Sequence, residues 1–282
     1  MSARGLPPEG EQLLTAVAYQ FRFYLRTWRF LGLALIIAAI TAVFATLTFY
    51  NGVDAVKLTS PTAASYLGTS LTGIAPTVAI VCAFFGGDAV AMDFGSANGY
   101  FALVLPVRRP ILLLGRYIAA AGASFVVVLI YWGSTVASAE YVYGSLPAAT
   151  LASLGLVVLL ILAVLSLAFF MSALFSKPII AIVVTVLLVV IAFPILTAGL
   201  AAANIEPLFV INYAGEVVGN VFLSLPHAHS TVVGGSGGNG SGTVTFTNYN
   251  PILWQGTAVM AAYFVVFLGL AVVLHVYKEV KG

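Results

Sequence analysis

Six windows of about 20 mostly apolar residues, near 28–50, 66–88, 110–136, 151–175, 178–200 and 252–275, constrain this chain more than any other feature. Each has the length a helix needs to cross ~30 Å of hydrocarbon. Composition agrees: 61% of the 282 residues are hydrophobic and only 7% are charged, where a soluble domain carries about a quarter charged. The expected fold is an all-α integral membrane protein with six transmembrane helices, residues 28–282 forming one transmembrane domain. A net charge of +2 without a basic, aromatic-interleaved cluster gives no footprint for nucleic acid. Cys82, the single cysteine, falls in an apolar run, so neither a disulfide nor a cysteine-based metal site is expected.

Six spans put both termini on one side, and the basic residues select which. With the termini cytoplasmic, Arg4, Arg22, Arg26, Arg29, Arg108, Arg109, Arg116, Lys177, Lys278 and Lys281 are cytoplasmic and only Lys57 is external. Ten against one is the asymmetry of the positive-inside rule. Residues 1–27 have too long a charged leader for a signal peptide. They read as an interfacial helix, with Leu14, Val17, Phe21, Tyr24, Leu25 and Trp28 at spacings of three and four. Arg22, Arg26 and Arg29 are expected together on a flanking face, toward lipid phosphates; a polar extension of the first span is the alternative.

Within the spans almost nothing titrates. Asp88 and Arg116 stand at cytoplasmic ends, and Glu140 just past an external one. Ion-coupled carriers and pumps keep acids or histidines at mid-membrane, so self-powered transport is disfavoured. Pro76 and Pro194 are expected to kink their helices, and Gly115, Ala119 and Gly122 give the third span a small-residue packing face. Ser176, Lys177 and Pro178 make a tight turn between spans four and five.

The external segment 201–250 is long. From Pro207 to Leu225, Leu208, Ile211, Val218, Phe222 and Leu225 fall on one face and Asn212, Glu216 and Asn220 on the other, which predicts an amphipathic helix on or dipping into the outer leaflet. Gly234 to Gly242 reads as linker and Thr243 to Thr247 as a short strand. Asn239-Gly240-Ser241 is a formal glycosylation acceptor. His227 and His229, on extended chain, are weak metal candidates with Glu216; ordinary loop polarity is the plainer reading.

The sequence lacks a GxxxxGK[ST] phosphate loop and an HExxH motif. Gly234-Gly235-Ser236-Gly237-Gly238 matches GxSxG only in letters, because no strand precedes it and no helix follows. Neither catalytic residues nor a cofactor is therefore expected in this chain. The stretch Asp88 to Arg116 is different: it is too polar to span and too apolar to stay in solution. Residues 91–109 are expected to include a short cytoplasmic helix whose apolar edge is Tyr100, Phe101, Val104 and Leu105, stopped by Pro106 before Arg108 and Arg109. Exposed aromatic and apolar residues on such a helix suit a protein partner.

In this stretch the chain resembles the permease subunits of type-2 ABC exporters. Asp93 takes that family's acid position, Leu103 to Leu105 its apolar run, Pro106-Val107-Arg108-Arg109 its proline–arginine step and Gly115-Arg116 its Gly-Lys. The resemblance implies a coupling helix docking on separate ATPase subunits, with ATP and Mg on those partners, a second permease, and a prokaryotic plasma membrane. The residues it would use are Asp93, Tyr100, Phe101, Val104, Leu105, Pro106, Arg108 and Arg109. Arg22, Arg26, Trp28, Arg29 and Arg116 would face membrane lipid. A secondary carrier or channel, and a non-transporting assembly or metal-maturation factor, are the rival readings.

Overall fold

The computed structural model describes residues 8–50, 52–91, 109–223, 225–234 and 243–279. Among the described residues the regular structure is helical apart from one two-stranded hairpin. Among them, five helices are long and apolar enough to cross a membrane, and a bent pair makes a sixth if it counts as one span.

Helix α1 (Glu9–Arg26) ends at Thr27, whose extended backbone (φ −85°, ψ 135°) breaks it from α2 (Trp28–Phe49). That break overturns the grouping of the three arginines: Arg29 opens a new helix and leaves the face shared by Arg22 and Arg26. Nor does α1 simply rest on lipid. It packs along α6 (Arg109–Tyr143), where a methyl group on Gly115 would stand 2.8 Å from Ala16 Cβ. The small-residue face of α6 is therefore the seat of α1, with Gly122 beneath Phe21. Tyr24 and Gln12 are buried, while Leu14 and Trp28 stay exposed.

After α2 come a short helix α3 (Val53–Thr59), then α4 (Ala63–Thr72) and α5 (Ala75–Gly86), which meet at a 46° bend. Pro76 explains the break. It sits in the first turn of α5, where its missing N–H costs nothing. Helix α7 (Thr150–Leu174) is the bundle's central helix, packed against α5 and against α12 (Leu253–Glu279). Tyr117 of α6 ties into it, donating to Leu162 O (2.7 Å) and lying edge-on to Phe169.

The helix from Pro178 changes pitch midway: α8 (Pro178–Val186), a π-helical stretch (Leu187–Ala192), then α9 (Phe193–Ala202). Pro194 follows the wide turn and has no N–H to give to the ladder. The kink expected at this proline takes the form of a π segment, one of the recognised ways a helix absorbs such a defect.

Between α9 and α12 lie α10 (Ile211–Gly215), α11 (Val217–Asn220) and a hairpin of β1 (Ala228–Gly234) and β2 (Thr243–Tyr249). The strands are antiparallel, with Ala228 opposite Tyr249 and Gly234 opposite Thr243. The strand expected at Thr243 to Thr247 is thus present, with a partner that alternation alone did not reveal. The outer-leaflet helix is corrected. Residues 211–220 are two short helices inserted among α4, α7 and α12, with Ile211, Ala214, Val217 and Val218 fully buried. Protein covers the apolar face at Ile211 and Val218, while Leu208 and Leu225 at the ends of the segment stay exposed.

Candidate functional site

The bundle has an arginine-rich end, where α1 stops and α2 starts, and a hairpin end. At the arginine-rich end, the last turn of α5 and the turn after it (residues 85–91) receive bonds from four other helices. From α1, the Tyr24 hydroxyl donates to Phe85 O at 3.2 Å. From α2, Arg29 pairs with the Asp88 carboxylate at 2.5 Å. From α6, Arg116 donates to Ala89 O at 2.8 Å. From α7, Ser172 Oγ accepts the backbone N–H groups of Val90 and Ala91, both at 3.0 Å. Gly87 lies close under Ile182 of α8, leaving no room for a side chain.

These ties are polar because the turn has left its helix. Its backbone groups have lost their intrahelical partners, and burial makes replacements necessary. Burial also raises the Asp88 carboxyl to about 6, against the pull of Arg29 and Arg116. A cavity of about 150 Å³ beside the pair is lined by Phe23, Tyr24, Thr27, Phe30, Phe84 and Phe85. The node is thus a fixed mount from which residues 92–108 depart toward α6.

Asp93, Tyr100, Phe101, Val104, Leu105, Pro106 and Arg108 lie outside the described residues, and Arg109 is placed only as the first residue of α6. Arg22, Arg26 and Trp28 are exposed, as interface residues require, whereas Arg29 and Arg116 are engaged in the node. Tyr24 and Ser172 belong to the node without having been expected there. A tyrosine on the apolar face of α1 and a serine ending a long apolar helix were the available signals, but nothing in the sequence aims either at residues 85–91.

At the hairpin end, His227 pairs with Glu206 (3.5 Å) and its other ring nitrogen lies 2.9 Å from Asn250 O. Tyr213 donates to the same Glu206 at 2.7 Å. The histidine therefore braces the hairpin base against Glu206 rather than meeting Glu216. The side chain of His229, and all of Asn239, lie outside what is described. Asn212 donates to Val189 O in the π-helical stretch at 2.8 Å, so the polar stripe of α10 and α11 does not simply face water. Comparison with models of known families and with curated proteins gives no match for this chain.

Proposed function

We propose that this chain is the transmembrane permease subunit of an ATP-driven exporter of the type-2 ABC kind, with six spans and cytoplasmic termini in a prokaryotic plasma membrane. Two such permeases would enclose the path, and separate ATPase subunits would supply the energy. The observation that carries this reading is the node at residues 85–91. The chain enters the 92–108 connection from a turn bonded to α1, α2, α6 and α7. A load applied to that connection would reach four helices at once, the rigid-body coupling that alternation between two states needs. The missing phosphate loop and the absence of basic or acidic residues through the middle of the spans support an external energy source. In this reading Tyr100, Phe101, Val104, Leu105, Arg108 and Arg109 form the docking surface.

The test is purification from the native host. An ATPase subunit is expected to accompany the chain, and Phe101→Asp or Arg109→Glu to release it and stop ATP-driven transport. The reading fails if no ATPase accompanies the parent and both variants transport normally. One observation favours a secondary carrier instead: Glu216 is a largely buried acid whose burial alone raises it, with no charge partner among the described residues. Transport that follows a proton gradient, and is indifferent to ATP, would select that reading.

A further inference from the structure

Glu216 lies at the joint of α10 and α11, where the backbone stays right-handed through it (φ −61°, ψ −21°). Asn212 and Asn220 stand four residues to either side, so all three share one stripe with neighbours about 6 Å apart. Packing fixes the opposite faces of the joint. Gly215 lies against Leu160 and Ala75, Gly219 against Gly68 and Thr72, and Val217 against Gly256.

Two polar atoms along this stripe, Asn212 Oδ1 and the Asn220 amide nitrogen, are unengaged. Asn212 gives an amide N–H to Val189 O, which leaves its Oδ1 as an acceptor, and that oxygen is buried without a donor. The Asn220 amide nitrogen is likewise buried without an acceptor. Glu216 forms no ion pair among the described residues. The elements packed around the joint are α4, α5, α7, the π-helical stretch, α9 and α12. Their only basic residues are His275 and Lys278 of α12, about 30 Å along that helix from Gly256. The titratable groups on the side of Glu216 are Tyr213 and, beyond it, Glu206, Tyr249 and His227. Of these only His227 can carry a positive charge, and its ring is committed to Glu206 and to Asn250 O.

Native structures leave few buried polar atoms without partners, and those few need an occupant or a role. A largely buried acid with no counter-charge among the described residues marks a candidate functional position. We propose that Asn212, Glu216 and Asn220 form a binding site for a monovalent organic cation bearing an alkylammonium group. The ammonium N–H donors meet the Glu216 carboxylate and Asn212 Oδ1, and the Asn220 amide donates to an acceptor elsewhere on the ligand. A single carboxylate matches a single positive charge, whereas a hard divalent ion takes six or more oxygens. The site is independent of what powers the protein, so it holds for a permease or a carrier.

Burial raises the Glu216 carboxyl to about 7, so a bound cation competes with a proton. The full chain, purified in detergent without an ATPase, would be titrated calorimetrically with phenethylammonium chloride, with phenethyl alcohol and sodium chloride as controls. Phenethylammonium is expected to bind with affinity rising about tenfold per pH unit up to pH 7 and levelling above it. At pH 7 about half a proton should be released per site, read from heats in buffers of different ionisation enthalpy. Glu216→Gln should abolish binding and release while melting like the parent at pH 5, where Glu216 is protonated. Asn212→Ala should weaken binding about tenfold, the loss of one hydrogen bond to a charged group. The proposal is overturned if phenethylammonium does not bind, if either control binds equally well, or if Glu216→Gln binds undiminished. ATPase co-purification is expected to survive Glu216→Gln, so the two proposals fail separately.

Discussion

Asp88 is a buried acid and Glu216 a partly buried one at opposite ends of the same bundle, and burial raises both above the ordinary carboxylate range. Their surroundings differ. Asp88 has a guanidinium at 2.5 Å and sits in a turn whose backbone is tied to α1, α6 and α7. Glu216 sits in a segment held mainly by close apposition of small residues, with Asn212 donating to Val189 O and Ser153 donating to Val218 O, and its carboxylate has no ion partner among the described residues. A turn anchored through its acid has spent that acid on position. One anchored mainly through shape keeps its acid for something else, which is why the first acid reads as architecture and the second as a site.

The largest expected effect tests the anchoring by shape. A methyl group at Gly219 would stand 2.4 Å from the Gly68 carbonyl oxygen and 2.5 Å from Thr72 N, both backbone atoms that yield little. Gly219→Ala should therefore cost about 3 kcal/mol, read as a lowered melting temperature in detergent. Gly133→Ala, in the interior of α6 where nothing lies within 4 Å, should not destabilise and should gain up to about 1 kcal/mol. Equal effects would mean that the inserted segment is loosely seated, and the contrast between the two ends would collapse.

The anchoring by polar bonds comes next. Ser172→Ala removes the acceptor of two buried N–H groups and should cost about 2 kcal/mol. Arg29→Ala should cost a similar amount at pH 8, about 2 kcal/mol, because it leaves Asp88 charged and unpaired. Much of that loss should return in the double variant Arg29→Ala, Asp88→Asn, whose amide needs no counter-charge. A double variant as unstable as Arg29→Ala would show that the arginine acts through packing alone. Tyr24→Phe, which keeps the ring against Phe85 and removes one bond to Phe85 O, should cost only about 1 kcal/mol.

The apolar windows were legible because bilayer thickness writes itself into sequence as length: Trp28–Phe49 and Thr150–Leu174 fall within a residue of their expected bounds. Pro76 and Pro194 marked where helices depart from regularity, since proline acts locally. The grouping of Arg22, Arg26 and Arg29 failed at Thr27, where no glycine or proline announced a break. The stripe of Asn212, Glu216 and Asn220 was readable, but not its direction. Amphipathicity says that two faces differ, and only the tertiary partners decide which face meets water. Here the glycines at 68, 219 and 256 admit the segment into the bundle, and their pairing across 188 residues has no local signature. The node at residues 85–91 was hidden for the same reason, because Tyr24, Arg29, Arg116 and Ser172 converge from four helices.

The smallest expected effect separates the two acids by pH. A carboxyl raised by folding adds stability below its unfolded value and loses it as pH rises through the folded one, because the native state holds the proton longer. For Asp88 that window runs from 3.8 to about 6, and for Glu216 from 4.5 to about 7. The parent should therefore melt at progressively lower temperature from pH 4 to pH 7 and level off above. Glu216→Gln should remove the part of this slope that persists above pH 6, and Asp88→Asn the part that begins below pH 4.5. The slices that tell the two acids apart, below pH 4.5 for Asp88 and above pH 6 for Glu216, should each be worth about 1 kcal/mol of the roughly 3 kcal/mol that each full window carries at about 1.4 kcal/mol per pH unit. Adding phenethylammonium at pH 8 should restore stability in the parent and in Asp88→Asn, but not in Glu216→Gln, because only the unpaired acid has a place for the cation. If the cation stabilises all three equally, it acts on the detergent-facing surface, and the distinction between a structural and a binding carboxylate is lost.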